Sequence, residues 1–351
     1  MKKIFTILLC LTLCLGLIAG CASKPQTSGG TLNLFTWEGM FPSQVLKGFT
    51  AETGIAINYN NFDYDETMLA KLQAAKGGDY DLIIADDYII ETVISEGLAQ
   101  KLDRSKLTNY SNINPFYQDQ FFDPSNAYTV PYGAGVQTIV YDPAFVDIEI
   151  NGYADLFDPS LEDNIGIIAN YRVITGLALK ILGESYNTED VDTIEAAGKK
   201  LLELAPNIRV IKDDNLQDDL VSGEIAAAVM YTSQVTTAKL ARPDLKVVFP
   251  SEGIGFGIMA SFIPSKAPNA DAAYTFLDYI LRPEIAAECF EWIGYYSTNS
   301  AADSLISKEY RDFLTLPSDF SGDTEMIQVI GADAEDAHSK AWTAFKSASG
   351  K

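Results

Sequence analysis

Leu32-Asn33-Leu34-Phe35-Thr36-Trp37-Glu38 opens a stretch that closes on Asp81-Leu82-Ile83-Ile84-Ala85-Asp86-Asp87-Tyr88, and the pattern between them decides the fold class. Leu32, Leu34 and Thr36 alternate with Asn33 and Phe35, the period-two spacing of a strand. Pro42 suits the first turn of a helix carrying Val45, Leu46 and Phe49, and Gly54 is a good terminator for it. Ile55 to Tyr59 predicts a second strand. Met68, Leu69 and Leu72 predict a second helix, which stops at Gly77-Gly78 before the compact apolar strand of Asp81 to Ile84. Strand, helix, strand, helix, strand predicts an α/β fold built on a mostly parallel sheet with helices over it. Ligands of such sheets sit beyond the carboxyl ends of the strands, which here are Thr36-Trp37-Glu38 and Ala85-Asp86-Asp87-Tyr88.

The same class continues outward. Val136 to Tyr141, Ile165 to Ala169 and Ile225 to Tyr231 read as strands; Thr175 to Leu182, Thr193 to Leu204, Asp271 to Leu281, Glu284 to Trp292 and Asp333 to Lys346 read as helices. A chain of 351 residues has room for about two such domains. No internal repeat is present, and 47% hydrophobic with 21% charged residues is an ordinary globular balance.

The first residues have a separate purpose. Lys2 and Lys3 precede an uncharged, largely apolar run from Ile4 to Ile18, long for a signal core and short for a membrane span. Its end, Ile18-Ala19-Gly20-Cys21, resembles a bacterial lipobox, so residues 1–20 are expected to leave as a lipoprotein signal peptide and Cys21 to carry the lipid. Acyl chains in pairs give stable anchoring where one is marginal. Residues 21–30 are a flexible tether by composition. Cys10 and Cys14 leave with the signal, so Cys289 is alone after Cys21 and no internal disulfide is expected; its apolar neighbours predict a buried thiol.

Composition excludes several functions. With 48 Asp and Glu against 25 Lys and Arg the formal charge is −23, and it is two units more negative once Lys2 and Lys3 are gone. Such a surface repels phosphate backbones, so no nucleic-acid partner is expected. The single histidine, His338, is expected on an exposed helix face, which leaves neither a zinc site nor a Ser-His-Asp triad. Gly253 to Gly257 precedes a strand and not a helix, a poor phosphate loop. No metal and no cofactor are expected. What remains is a gathering of aromatic and acidic residues at segment ends: Trp37-Glu38, Asp86-Asp87-Tyr88, Tyr231 and Tyr295-Tyr296. Aromatic faces attract ammonium groups by about 0.5–2 kcal/mol each, and charge-assisted hydrogen bonds add about 1.5–3 kcal/mol each. That mixture suits a small organic cation.

At these residues the chain resembles the spermidine/putrescine-binding proteins of ABC importers. The resemblance is carried by Leu34-Phe35-Thr36-Trp37, Phe49-Thr50-Ala51-Glu52-Thr53-Gly54-Ile55, Tyr80-Asp81-Leu82-Ile83, Leu102-Asp103-Arg104-Ser105-Lys106-Leu107-Thr108-Asn109, Val130-Pro131-Tyr132, Tyr279-Ile280-Leu281-Arg282-Pro283 and Ile293-Gly294-Tyr295. It implies a two-lobed fold of periplasmic-binding-protein type, with mixed sheets flanked by helices and ligand in the cleft between the lobes. Lobe 1 would take residues 31–136 plus 260–305, and lobe 2 residues 137–259 plus 306–351. Trp37 matches the stacking tryptophan, Tyr88 and Tyr295 match pocket tyrosines, and Tyr231 stands where tryptophan is usual. Glu38 and Asp86 fall at pocket-lining positions that are commonly small hydroxyl residues. Asp87, Gln137, Asn170 and Gln234 form a weaker set of candidates. The amine-clamping acids would fall near Asn170, Val173 and Ala260, none of them acidic, and Met40 replaces a pocket tyrosine. Either Glu38, Asp86 and Asp87 supply those charges from the first lobe, or the solute is not a polyamine.

The expectation is an extracytoplasmic, lipid-anchored receptor, monomeric and without catalysis, that hands a polyamine to ABC permease subunits. The alternatives are a receptor for another small amine or an amino-acid-like solute, a receptor serving a sensor kinase, and an exported hydrolase using paired carboxylates.

Overall fold

The computed structural model describes residues 30–212, 214–314 and 323–351. The export and lipidation expectations at Lys2, Lys3, Ile4 to Ile18 and Cys21 lie outside the described residues. Strands β1 (Thr31–Thr36), β2 (Ala56–Asn61) and β3 (Leu82–Asp86) pair in parallel with β1 in the middle, each followed by its helix: α1 (Ser43–Thr53), α2 (Asp65–Ala74) and α3 (Asp87–Ser95). Gly54 takes φ 73° to close α1, a left-handed conformation that favours glycine. Leu32, Leu34, Leu82 and Ile84 pack with Val45, Phe49 and Phe276 on one face of this sheet. Phe35, Ile83 and Ala85 pack with Met68, Leu72 and Ile90 on the other. Both faces are covered, which is why β3 reads as an unbroken apolar run.

The rest of the chain continues with β4 (Thr129–Tyr141), β5 (Ile165–Ile167), α4 (Tyr171–Ile181), α5 (Val191–Leu202), β6 (Ile208–Ile211), α6 (Leu216–Ser222), β7 (Ala227–Tyr231) and α7 (Thr232–Ala241). After these come β8 (Lys246–Val248), β9 (Ile254–Phe262), α8 (Ala270–Ile280), α9 (Pro283–Ile293), β10 (Tyr296–Ser297), α10 (Lys308–Leu314), β11 (Thr324–Met326) and α11 (Ala332–Ser349). Among the described residues, eleven strands join in one mixed sheet whose main order is β2-β1-β3-β9-β4-β7-β5-β6.

β4 joins its two halves. Thr129 to Val136 run antiparallel to β9, which pairs on its other edge with β3. From Gln137 to Tyr141 the same strand pairs with β7, and over Ile139 to Tyr141 also with β8. Thr232 pins the change of partner: its Oγ1 accepts from Val136 N and donates to Val136 O, both at 2.9 Å. The second half has a core of its own, in which Ile139, Ile165, Leu177, Leu201 and Val229 meet Trp342 and Phe345 from α11.

β9 pairs with β4 from Phe256 and with β3 from Met259, while Ile254 to Phe256 pair with β11. Two expectations change. Residues 254–257, expected before a strand, already lie inside β9, where extended backbone leaves no phosphate cradle. His338 is fully buried and not exposed, because α11 folds back against α4 and α5 and carries that face inward with Trp342 and Phe345. Cys289 is buried as expected, and burial pushes its thiol up to about 12. Among the described residues, no helix is long and apolar enough to cross a membrane.

Candidate functional site

A cavity of about 680 Å³ opens where the two halves of the sheet meet. The crossing residues Gly135, Val136 and Gln137 line it, with Gly257 and Met259 of β9 beside them. Gly135 is required there: a Cβ at that position would stand 2.9 Å from the Tyr295 ring, which forms part of the wall.

The first half contributes acids. β3 ends on Asp86, which caps α3 in extended conformation, and Asp87 begins the helix. Asp87 is 4% exposed and its Oδ2 accepts from Ile258 N at 2.7 Å, so the carboxylate is fixed against β9. Asp65, first residue of α2 and 5% exposed, accepts from Asp86 N at 3.5 Å and from Tyr88 Oη at 3.4 Å. The same phenol lies 3.1 Å from Glu66 Oε1. Burial first, and the neighbouring acids second, push Asp65 up to about 6 and Asp87 up to about 7. Asp86 is held well above the usual carboxylate range by burial and by Asp65 and Asp87.

The opposite wall is built on helix starts. Asn170 caps α4 through Oδ1, which accepts from Val173 N at 3.1 Å, and its Nδ2 donates to Tyr231 Oη at 3.2 Å. Gln137 stands opposite Tyr231 in the β4–β7 register, and its buried Oε1 has no hydrogen-bond donor. Arg172 donates to the carbonyls of Gln328 and Tyr186, both at 3.1 Å, and lies 4.0 Å from Glu335 of α11. The Tyr171 hydroxyl donates to the same Glu335. Acids therefore line both walls of the cavity, with Tyr88, Tyr231 and Tyr295 also lining it.

Of the residues singled out in the sequence, Asp86, Asp87, Tyr88, Gln137, Asn170, Tyr231 and Tyr295 line this cavity together. Trp37, Glu38 and Gln234 are not among its lining residues. Trp37 is half-buried against Phe62, ring centroids 5.0 Å apart, and Glu38 is exposed. Their loop is held in place by three side chains: Tyr59 Oη donates to Trp37 O at 2.6 Å, Trp292 Nε1 to Gly39 O at 2.6 Å, and Tyr132 Oη to Met40 O at 2.7 Å. Gln234 serves the backbone, accepting from Tyr231 N at 3.3 Å. Ala260 is fully buried, while Met259 lines the cavity and pairs with Asp86; successive strand residues face opposite ways, so one position decides which is seen. Sequence reasoning missed Asp65, Glu66, Tyr171, Arg172 and Glu335. Tyr171 and Arg172 were legible, since they stand between Asn170 and Val173 at a helix start. Glu335 was not, because only the return of α11 brings it there.

Two half-sheets crossed by shared strands, with a cavity lined from both, are the architecture of the periplasmic binding proteins. The chain belongs to the bacterial extracellular solute-binding protein family, whose model matches residues 44–313. It is 36% identical over 294 residues to the spermidine/putrescine-binding periplasmic protein of Salmonella typhimurium, covering 84% of each chain. To the protein of that name from Escherichia coli K12 it is 35% identical over 304 residues, 86% of this chain and 87% of that one. Among solved structures it is similar to the spermidine/putrescine ABC transporter substrate-binding protein PotD of Streptococcus pneumoniae, with TM-score 0.83 and 29% identity over 92% of this chain and 100% of that one.

Proposed function

We propose that the protein is the extracytoplasmic receptor of an ABC importer, binding a polyamine such as putrescine or spermidine in this cavity and delivering it to the permease. The observation that carries the reading is the placing of Glu66, Asp86 and Asp87 on one wall and Glu335 on the other, with tyrosines lining the same cavity and the buried Asp65 bonded to Asp86 N. A diamine needs a negative partner near each ammonium, because desolvating an unpaired charge is costly. The names of the relatives support the same solute class. The two half-sheets act as lobes, and ligand touching both stabilises the closed form that the permease recognises. No bond is made or broken in the solute. Cys21 carries the lipid anchor, residues 22–30 are the tether, and the receptor works as a monomer.

A second reading, an amino-acid-like solute, is favoured by Arg172, whose buried Nε has no hydrogen-bond partner and would suit a carboxylate. A thermal-shift screen with putrescine, spermidine, amino acids and quaternary amines, followed by calorimetry, separates the two. The polyamine reading expects stoichiometric binding of putrescine or spermidine with the ligand recovered intact. Stabilisation by amino acids alone would favour the second reading, and turnover would mean a hydrolase.

A further inference from the structure

Glu66, Asp86 and Asp87 on the first-half wall of the cavity, with the buried Asp65 beside Asp86 and the Tyr88 phenol bonded to Asp65 and Glu66, form a carboxyl cluster with no cation among them. Asp65 meets Asp86 N at 3.5 Å, Tyr88 Oη reaches both Asp65 and Glu66, and Asp87 is fixed on Ile258 N. Other titratable or charged groups facing them are Tyr295 from the segment before β10, and Tyr171, Arg172, Tyr231 and Glu335 from the opposite wall. β9, packed directly against Asp87, brings only backbone and uncharged side chains. Arg172 is the cavity's one cation among the described residues, and it is committed to Glu335 and two carbonyls on the far side. Adjacent buried carboxylates cannot all ionise unless a positive charge joins them.

From this arrangement we infer that the receptor takes up its amine in exchange for a proton. The Asp65–Asp86–Asp87 cluster retains a shared proton while the cleft is empty, and releases it to solvent when a ligand ammonium takes its place. The inference rests on the amine reading of the site. The step balances: one ammonium enters, one O–H bond of a carboxylic acid breaks, its proton passes to a solvent water, and the wall, one unit more negative, is neutralised by the ammonium it now holds. Burial raises these carboxyls toward neutrality, where the exchange falls in the physiological range. A separate observation points to an ammonium as occupant. Gln137 lines the same cavity, is 8% exposed, and offers a buried Oε1 with no donor. An alkylammonium has three N–H donors and no acceptor, so it can serve carboxylates and an amide oxygen together.

The test is titration calorimetry with putrescine at pH 6.5 in buffers of differing ionisation enthalpy, together with infrared spectra of the empty protein. The expected result is release of about half a proton per ligand at pH 6.5, rising toward one at pH 5.5, and an affinity that rises about tenfold from pH 5.5 to 7.5, while the amine itself stays protonated. The empty protein at pH 6 should show a protonated-carboxyl band that Asp86→Asn diminishes. Glu335→Gln should bind more weakly yet release the same proton, so a general loss of the site is told apart from loss of the exchange. Binding without proton release overturns the inference and leaves the polyamine reading standing, as does absence of the carboxyl band. Failure of every polyamine to bind, with the band present, overturns the reading and the exchange with it.

Discussion

Asp86 and Glu38 end neighbouring parallel strands, yet they differ in environment. Asp86 lines the cavity, enclosed by Asp65, Asp87 and Tyr295; Glu38 is exposed beside a loop fixed by Tyr59, Tyr132 and Trp292. Exposed charges are screened and contribute little, whereas a desolvated carboxylate facing an ammonium contributes fully. Asp86→Asn is therefore expected to weaken putrescine binding at least tenfold, about 1.4 kcal/mol, and Glu38→Gln by less than about threefold, both read by calorimetry. His338 gives a prediction on stability. Both ring nitrogens are buried without partners, and burial with Arg172 nearby lowers its pKa to about 4 from an ordinary 6.5. The unfolded chain takes up the proton first as pH falls, so this residue's contribution is intact above pH 6.5 and is lost between 6.5 and 4. Replacing it by leucine should raise the melting temperature at pH 5 relative to wild type, with a smaller difference at pH 8. Equal differences at the two values would assign the effect to packing alone.

At the scale of elements, β4 and its neighbours set the geometry of the cleft. Gly135 lets β4 pass beneath Tyr295, and a Cβ there would press on a ring held from α7, since Tyr295 also bonds Ser233. Gly135→Ala should displace the ring, with an overpacking cost of about 1–3 kcal/mol, and weaken ligand binding while the halves still fold. Comparing denaturation midpoints with ligand affinity for this variant checks both parts. The opening β1-α1-β2-α2-β3 alternation was legible because each face of the sheet has its own core and the periodicities are local. β9 was not, because Gly255 and Gly257 mimic a loop and its strand character comes from pairing with β3 and β4, which are distant in sequence. The site follows the same division: Asp86, Asp87 and Tyr88 were legible at a strand end, but Glu66 and Glu335 reach the cavity only through packing of α2 and α11.

For the molecule as a whole, β4 passes from one half-sheet to the other, β9 returns to the first, and β11 pairs along β9 near that crossing. The link at β11 is held to the second half by the buried Lys180, which pairs with Asp323 at 2.9 Å and with Glu325, while Asn187 bonds both Met326 O and Gln328 N at 2.8 Å. On the proposed closing of the lobes, the wall formed by residues 327–330 is expected to move with α4, bringing it and Glu335 together toward the acids of β3 and α3. On the proposed anchoring, Cys21→Ser should shift the protein from the membrane fraction to the soluble one; unchanged membrane association would refute the anchor. That same soluble variant holds one thiol after the signal is removed, Cys289, fully enclosed beneath Tyr132 and unreactive in the native state. A coloured disulfide reagent added to it becomes a stopwatch: each labelling event times one opening of the first half's interior, in native buffer and without denaturant. Ligand that secures the cleft should slow the watch, and the ratio of rates with and without solute would read out how strongly a remote cavity restrains that interior.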